Sequence, residues 1–129
     1  MTTAKQPKVL IAEDDALIAM SLHEMLSRFG LEVVGVAAAV SDALRIAQTT
    51  RPDIAIFDVT LRGNCDGIEG AALLRSFLDI PVVFLTGQND EGTRARALAI
   101  TPAAYLCKPA RPQDILAVVD KALGLRGDR

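Results

Sequence analysis

The sequence predicts an α/β fold: a five-stranded parallel sheet, doubly wound, with helices on both faces. Three observations carry that prediction. Five short apolar runs recur at regular intervals, at Val9–Ala12, Val33–Val36, Ile54–Phe57, Val82–Leu85 and Ala104–Cys107. Each is too short for a helix, and most are β-branched without polar alternation, which suits strands buried on both faces. Segments with helical spacing lie between them, so the order is strand–helix five times over.

The elements follow in order. After the first run, Ile18, Leu22, Met25, Leu26 and Phe29 form one helical stripe, and Gly30 stops it. After the second run, Ala43, Leu44, Ile46 and Ala47 make a stripe that ends before Pro52. Ile68, Ala71, Ala72, Leu74 and Arg75 belong to the third helix. The fourth, Glu91 to Ile100, is rich in Ala and Arg, and Pro102 shortens it or stiffens its exit. The fifth opens on Pro112, a favoured first-turn residue. It carries Ile115, Leu116, Val118, Val119 and Ala122, and Gly124 stops it. The first seven and last five residues read as loose ends.

Composition narrows the function classes. The chain has 129 residues, half of them hydrophobic, with a net charge of −2. That is one domain with a real core. Near-balanced charge argues against non-specific nucleic-acid binding. No run approaches the length of a membrane span, and no signal peptide is evident. Cys65 and Cys107 are far apart and lack metal or redox spacing, so a reduced, cytoplasmic protein is expected.

Chemistry-bearing residues follow four of the five strands. Glu13, Asp14 and Asp15 follow the first, Asp58 the third, Thr86 the fourth and Lys108 the fifth. In an open parallel sheet the ligand crevice lies at the carboxyl ends of the strands, where strand order reverses. Order 2-1-3-4-5 puts strands 1 and 3 beside that crevice and the silent strand 2 at the edge. Converging carboxylates repel and need a cation, and an oxygen-only set favours a hard ion such as Mg²⁺. A carboxylate nucleophile, a metal, a hydroxyl and an ammonium together form a set that suits a phosphoryl group.

The marks "VLIAEDD", "IAIFD" followed by "DG", "VVFLTG" and "YLCKP" resemble the receiver domain of two-component response regulators, from Val9 to Leu123. The resemblance implies a flavodoxin-like (βα)5 three-layer sandwich, one receiver domain over 1–129 with its core at about 8–124. It implies Asp58 as phosphoacceptor, with Thr86 and Lys108 on the phosphoryl group. It implies Mg²⁺ held by Glu13, Asp14, Asp58 and the backbone carbonyl of Thr60. Thr86 and Tyr105 become the switch pair, and Lys108–Pro109 a cis peptide. Thr60 and Gln88 stand where the family tunes loss of the phosphoryl group by hydrolysis.

The family register places the metal pair at Glu13 and Asp14. Asp15 then begins the helix, as an Asp suited to N-cap it. The implied partners are a histidine kinase or histidine phosphotransfer protein, and a downstream target on the face of helix 4, strand 5 and helix 5. Homodimerisation through that face is possible for the family. No nucleic-acid-binding segment follows Leu123, and no membrane role is implied. The domain catalyses only its own phosphorylation and dephosphorylation.

Three departures stand out. The loop "VTLRGNCDG" lacks the family's usual proline and is one residue longer. Ala110 stands where Phe is usual, and "ITPAAY" where Gly is usual. The altered loop supports an alternative reading, a receiver-like adaptor independent of phosphorylation. A Mg²⁺-dependent phosphatase is a third; it lacks a second acid two residues past Asp58, where Thr60 stands, and has no cap. Plainer roles are expected elsewhere: His23, Arg94 and Arg96 on solvated faces, Cys65 in a loop, Cys107 buried in its strand.

Overall fold

The computed structural model describes residues 6–124. The elements alternate without exception: β1 (Lys8–Ala12), α1 (Ala16–Arg28), β2 (Glu32–Ala37), α2 (Val40–Thr50), β3 (Ile54–Phe57), α3 (Gly67–Arg75), β4 (Val82–Thr86), α4 (Glu91–Ala99), β5 (Ala104–Cys107) and α5 (Pro112–Leu123). All strand pairs are parallel, in the order β2-β1-β3-β4-β5. The predicted fold class and order therefore hold. Most of the expected loose ends lie outside the described residues; within them, the Pro7 carbonyl accepts the Glu32 N–H at 2.8 Å.

Two apolar layers sandwich the sheet. Leu10, Ala55, Phe57, Val82 and Phe84 face α2 and α3, with Val40, Ala43, Ala47, Ala71 and Leu74 packed on them. Val9, Ile11, Ile54, Ile56, Val83 and Leu85 face α1 and α5, meeting Leu22, Leu26, Ile115 and Val119. Successive strand side chains point to opposite faces, so a strand feeding both layers must be apolar throughout. That explains β3 and β4, buried at every residue.

The edge strands depart from that expectation. β2 is half-buried, with Val36 exposed, and β5 is half-buried until Cys107, which is exposed. The expectation of a buried Cys107 is corrected: it ends an edge strand, where no neighbouring strand covers it, and its thiol lies 3.2 Å from Asn89 Oδ1. Phe29 is also misassigned to the core stripe. It is the C-cap of α1, where the backbone leaves helical geometry, and it is 63% exposed. Ala72 is likewise exposed, because the stripe of α3 runs through Ile68, Ala71 and Leu74.

Helix ends follow the expected chemistry. Asp15 caps α1, accepting from the Leu17 and Ile18 N–H groups. Pro112 starts α5, and Gly124 ends it in the left-handed conformation at φ 70°. α4 ends at Ala99, with Ile100 as its C-cap and Thr101 at φ 54° before Pro102. No helix among the described residues is long and apolar enough to cross a membrane.

Candidate functional site

Ladder hydrogen bonds continue one residue past the strands and set the site. The Asp58 N–H donates to the Ala12 carbonyl, and the Glu13 N–H to the Ala37 carbonyl, both at 2.8 Å. The Lys108 N–H donates to the Thr86 carbonyl at 2.9 Å. The sheet register thus delivers Glu13, Asp58, Thr86 and Lys108 to one end of neighbouring strands, where a parallel sheet places its crevice.

The side chains converge there. Lys108 Nζ donates to Glu13 Oε1 and to Asp58 Oδ2, each at 2.7 Å. Carboxylate oxygens of Glu13, Asp14 and Asp58 lie within 4.8 Å of one another. Glu13 and Asp58 are buried and Asp14 is half-buried. Glu13 Oε2 also accepts the Asp15 N–H at 3.0 Å, and Asp58 Oδ1 accepts the Thr60 N–H at 3.2 Å. Buried charge is tolerated only when paired in this way.

Burial pushes the Glu13 carboxyl above its usual range, and the Asp58 charge adds to this. Hydrogen bonds from Lys108 and the Asp15 N–H oppose without cancelling it. For Lys108, burial alone would favour the neutral amine. Hydrogen bonds and charge from Asp58 and Glu13 outweigh burial and raise its pKa.

The remaining expected residues surround this core. Thr86 is fully buried, and its hydroxyl accepts the Gln88 N–H at 3.1 Å. Gln88 Nε2 donates to the Thr60 hydroxyl at 3.2 Å, joining the two loops that flank the site. The Tyr105 hydroxyl donates to the Gln88 carbonyl, and its ring lies 6.3 Å from that of Phe84. Lys108–Pro109 is cis.

The altered loop after β3 is well anchored. Arg62 N–H donates to the Ala38 carbonyl at 3.0 Å, and Ala39 and Arg62 form an isolated parallel bridge. Gly67 then brings the chain back against the backbone of Asp58 and Val59. A Cβ at Gly67 would sit 1.8 Å from the Asp58 carbonyl oxygen, so only glycine fits. The acid pocket stays assembled despite the extra residue, which removes the support for a phosphorylation-independent adaptor.

Two residues expected on solvated faces make contacts that sequence reasoning missed. Arg96 Nη2 donates to Asp66 Oδ2 at 2.7 Å, and the Arg94 guanidinium stacks 5.1 Å from the Tyr105 ring centroid. Their partners are 30 and 11 residues away, and no local pattern announces such pairs. His23 is exposed as expected. Cys65 is half-buried, and burial followed by the charges of Glu69 and Asp66 raises its thiol pKa.

A doubly wound sheet with an acid cluster and a lysine at the carboxyl ends of its strands has the layout of a receiver-type signalling domain. The chain belongs to the response regulator receiver domain family, whose model matches residues 9–120. It is thus a receiver domain of two-component response regulators. It is 38% identical over 116 residues to the transcriptional regulatory protein PdtaR of Mycobacterium tuberculosis, covering 90% of this chain and 56% of that one. It is 32% identical over 120 residues to the phyllosphere-induced regulator PhyR of Methylorubrum extorquens, covering 90% of this chain and 43% of the relative. The chain spans about half the length of these curated relatives.

Among solved structures, the signal receiver domain of a modulated diguanylate cyclase from Desulfovibrio desulfuricans superposes with a TM-score of 0.88 at 36% identity. It covers 95% of this chain and 97% of its own. A CheY-like receiver domain from Methanospirillum hungatei shares the fold, with a TM-score of 0.87 at 23% identity over 95% of this chain and 98% of that one.

Proposed function

We propose that Asp58 accepts a phosphoryl group from a histidine kinase or histidine phosphotransfer protein, and that the domain thereby switches its protein contacts. The observation that carries this is Lys108 bridging Asp58 and Glu13 at 2.7 Å inside a three-carboxylate cluster. An Asp58 oxygen attacks phosphorus as the phosphorus–nitrogen bond of the donor phosphohistidine breaks. The imidazole leaves with the electron pair.

The donor set fits Mg²⁺, since it is all oxygen and its negative charge exceeds what one lysine neutralises. Glu13, Asp14, Asp58 and the Thr60 carbonyl would hold the ion, which supplies positive charge opposite the phosphoryl oxygens. Lys108 then has one phosphoryl oxygen to pair with in place of a carboxylate, and the buried Thr86 hydroxyl another. Thr86 turning inward gives up the Gln88 N–H, and Gln88 is also where the Tyr105 hydroxyl rests. Movement of Thr86 and Tyr105 shifts a population between two arrangements.

The single receiver unit spans about 8–124, is cytoplasmic, and works on no substrate beyond its own phosphoryl group. Its output is contact with a protein target, or with a second copy, on the α4–β5–α5 face. Direct nucleic-acid or membrane binding is not part of this reading.

Incubation with acetyl phosphate and Mg²⁺ followed by intact mass tests it. One phosphoryl adduct is expected in the native sequence, none in Asp58→Asn, and none after chelation. No adduct in the native chain would sink the reading; an adduct retained in Asp58→Asn would move the acceptor elsewhere.

A further inference from the structure

α4 has little apolar grip on the rest of the molecule. Of Glu91–Ala99 only Ala97 is buried, and Leu98 is 49% exposed. A buried alanine offers one methyl group, so polar contacts decide where this helix lies. Three arginines make them. Arg96 of α4 reaches Asp66, the N-cap of α3, at 2.7 Å. Arg75, the last residue of α3, donates through Nη1 to the Ile100 carbonyl and, at 3.0 Å, to the Thr101 carbonyl at the end of α4. Arg94 stacks on Tyr105.

The first two contacts are reciprocal. An arginine of α4 holds the start of α3, and an arginine of α3 holds the end of α4, where unpaired carbonyls and the helix dipole favour a cation. Asp66 divides its oxygens between them. Oδ1 accepts the Glu69 N–H of its own helix at 2.9 Å, and Oδ2 takes Arg96. Asp66 also closes the loop that starts at Asp58, and Gln88–Thr60 ties that loop to the segment leading into α4. The lengthened loop therefore carries both the phosphoacceptor's neighbour Thr60 and the anchor of α4.

We propose that Asp66, Arg96 and Arg75 form an α3–α4 clamp that holds α4 in the arrangement seen here and sets how readily phosphoryl binding at Asp58 shifts it. This rests on the phosphoacceptor reading of Asp58. The clamp makes α4 answer to the loop after β3 as well as to Tyr105.

The test compares the full chain with Arg96→Gln, Asp66→Asn, their double variant and Arg75→Gln. Asn keeps the helix cap, and Gln keeps most of the arginine's apolar stem. Two quantities are read. One is amide hydrogen exchange across α4 without ligand. The other is the beryllofluoride midpoint with Mg²⁺, followed through Tyr105, the only tyrosine in a chain without tryptophan.

Each single variant should raise α4 exchange and lower the midpoint by about two- to fivefold, the range for a partly exposed ion pair. The Asp66→Asn, Arg96→Gln double variant should go no further than either single one, since both break the same bond. Unmoved midpoints in the variants overturn the clamp, whether or not exchange rises. Additive effects in the double variant overturn it as well. A native chain that gives no response to beryllofluoride sinks the Asp58 reading and the clamp with it; a native response with unmoved variants sinks the clamp alone.

Discussion

Lys108 is the residue on which the site's electrostatics turn. Among the described residues it is the one cation paired with two buried carboxylates, and its side chain is only 21% exposed. Lys108→Met leaves Glu13 and Asp58 facing each other unpaired, a loss of about 1–3 kcal/mol in urea unfolding near neutral pH. The pH dependence follows from the direction of the shifts. The lysine's raised pKa gives stability that is present below its ordinary 10.5 and lost as pH climbs through the raised value. Glu13 is raised too, so its ionisation opposes folding as pH rises above its ordinary 4.5. Lys108→Met should therefore regain stability as pH falls toward that value, and a flat profile would contradict the pairing. Gly67 is the second residue-scale constraint. Gly67→Ala puts a methyl group into the Asp58 carbonyl. The backbone must shift, at a cost of about 2–4 kcal/mol, and acetyl phosphate labelling of Asp58 should slow with it. Unchanged stability and labelling would show that the loop yields freely.

Elements place these residues through their ends. β1, β3 and β5 release Glu13, Asp58 and Lys108 one step beyond their last ladder pairs, and β4 ends on Thr86 itself, so the crevice is a product of register. α3 begins with a capping box, in which the Asp66 carboxylate takes the Glu69 N–H and the Glu69 carboxylate takes the Asp66 N–H. Asp66→Ala removes that cap and the bond to Arg96 together. A loss of about 1–2 kcal/mol in thermal or urea unfolding is expected, against a smaller one for Asp66→Asn. Hydrogen bonds to the Glu69 N–H and Arg96 outweigh burial and lower the Asp66 pKa. The stability it contributes is present above its ordinary 3.8 and is lost as pH falls through the lowered value, so Asp66→Ala and the native chain should converge in strong acid.

At the scale of the whole molecule, the two apolar layers are separate clusters divided by one sheet. Leu74→Ala on one side and Leu26→Ala on the other each empty a fully buried site. Each should cost about 2–5 kcal/mol, and because no partner is shared the double variant should lose their sum within about 0.5 kcal/mol. A cation bound only by the folded state raises stability by mass action. At ten times its dissociation constant Mg²⁺ should add about 1.4 kcal/mol, seen as a higher melting temperature that chelation reverses and Asp14→Ala abolishes. A melting curve indifferent to Mg²⁺ would remove the ion from the site.

The order of strands and helices, the N-cap at Asp15, and the acids, threonine and lysine behind the strands were legible in the sequence, because periodicity and strand-end placement are local. Tertiary structure alone decided the rest. Cys107 and Phe29 turned out exposed because an edge strand and a helix exit lack a covering layer. Arg94, Arg96 and Arg75 gained partners because the fold lays α4 beside α3 and β5, which no spacing along the chain encodes. The same holds for Gly67, whose necessity appears only when the chain closes on the Asp58 carbonyl. What the sequence determined by itself was which groups reach the crevice; what only packing decided was what holds the neighbouring helix in place, since contacts between distant segments exist only once the sheet has set their distance.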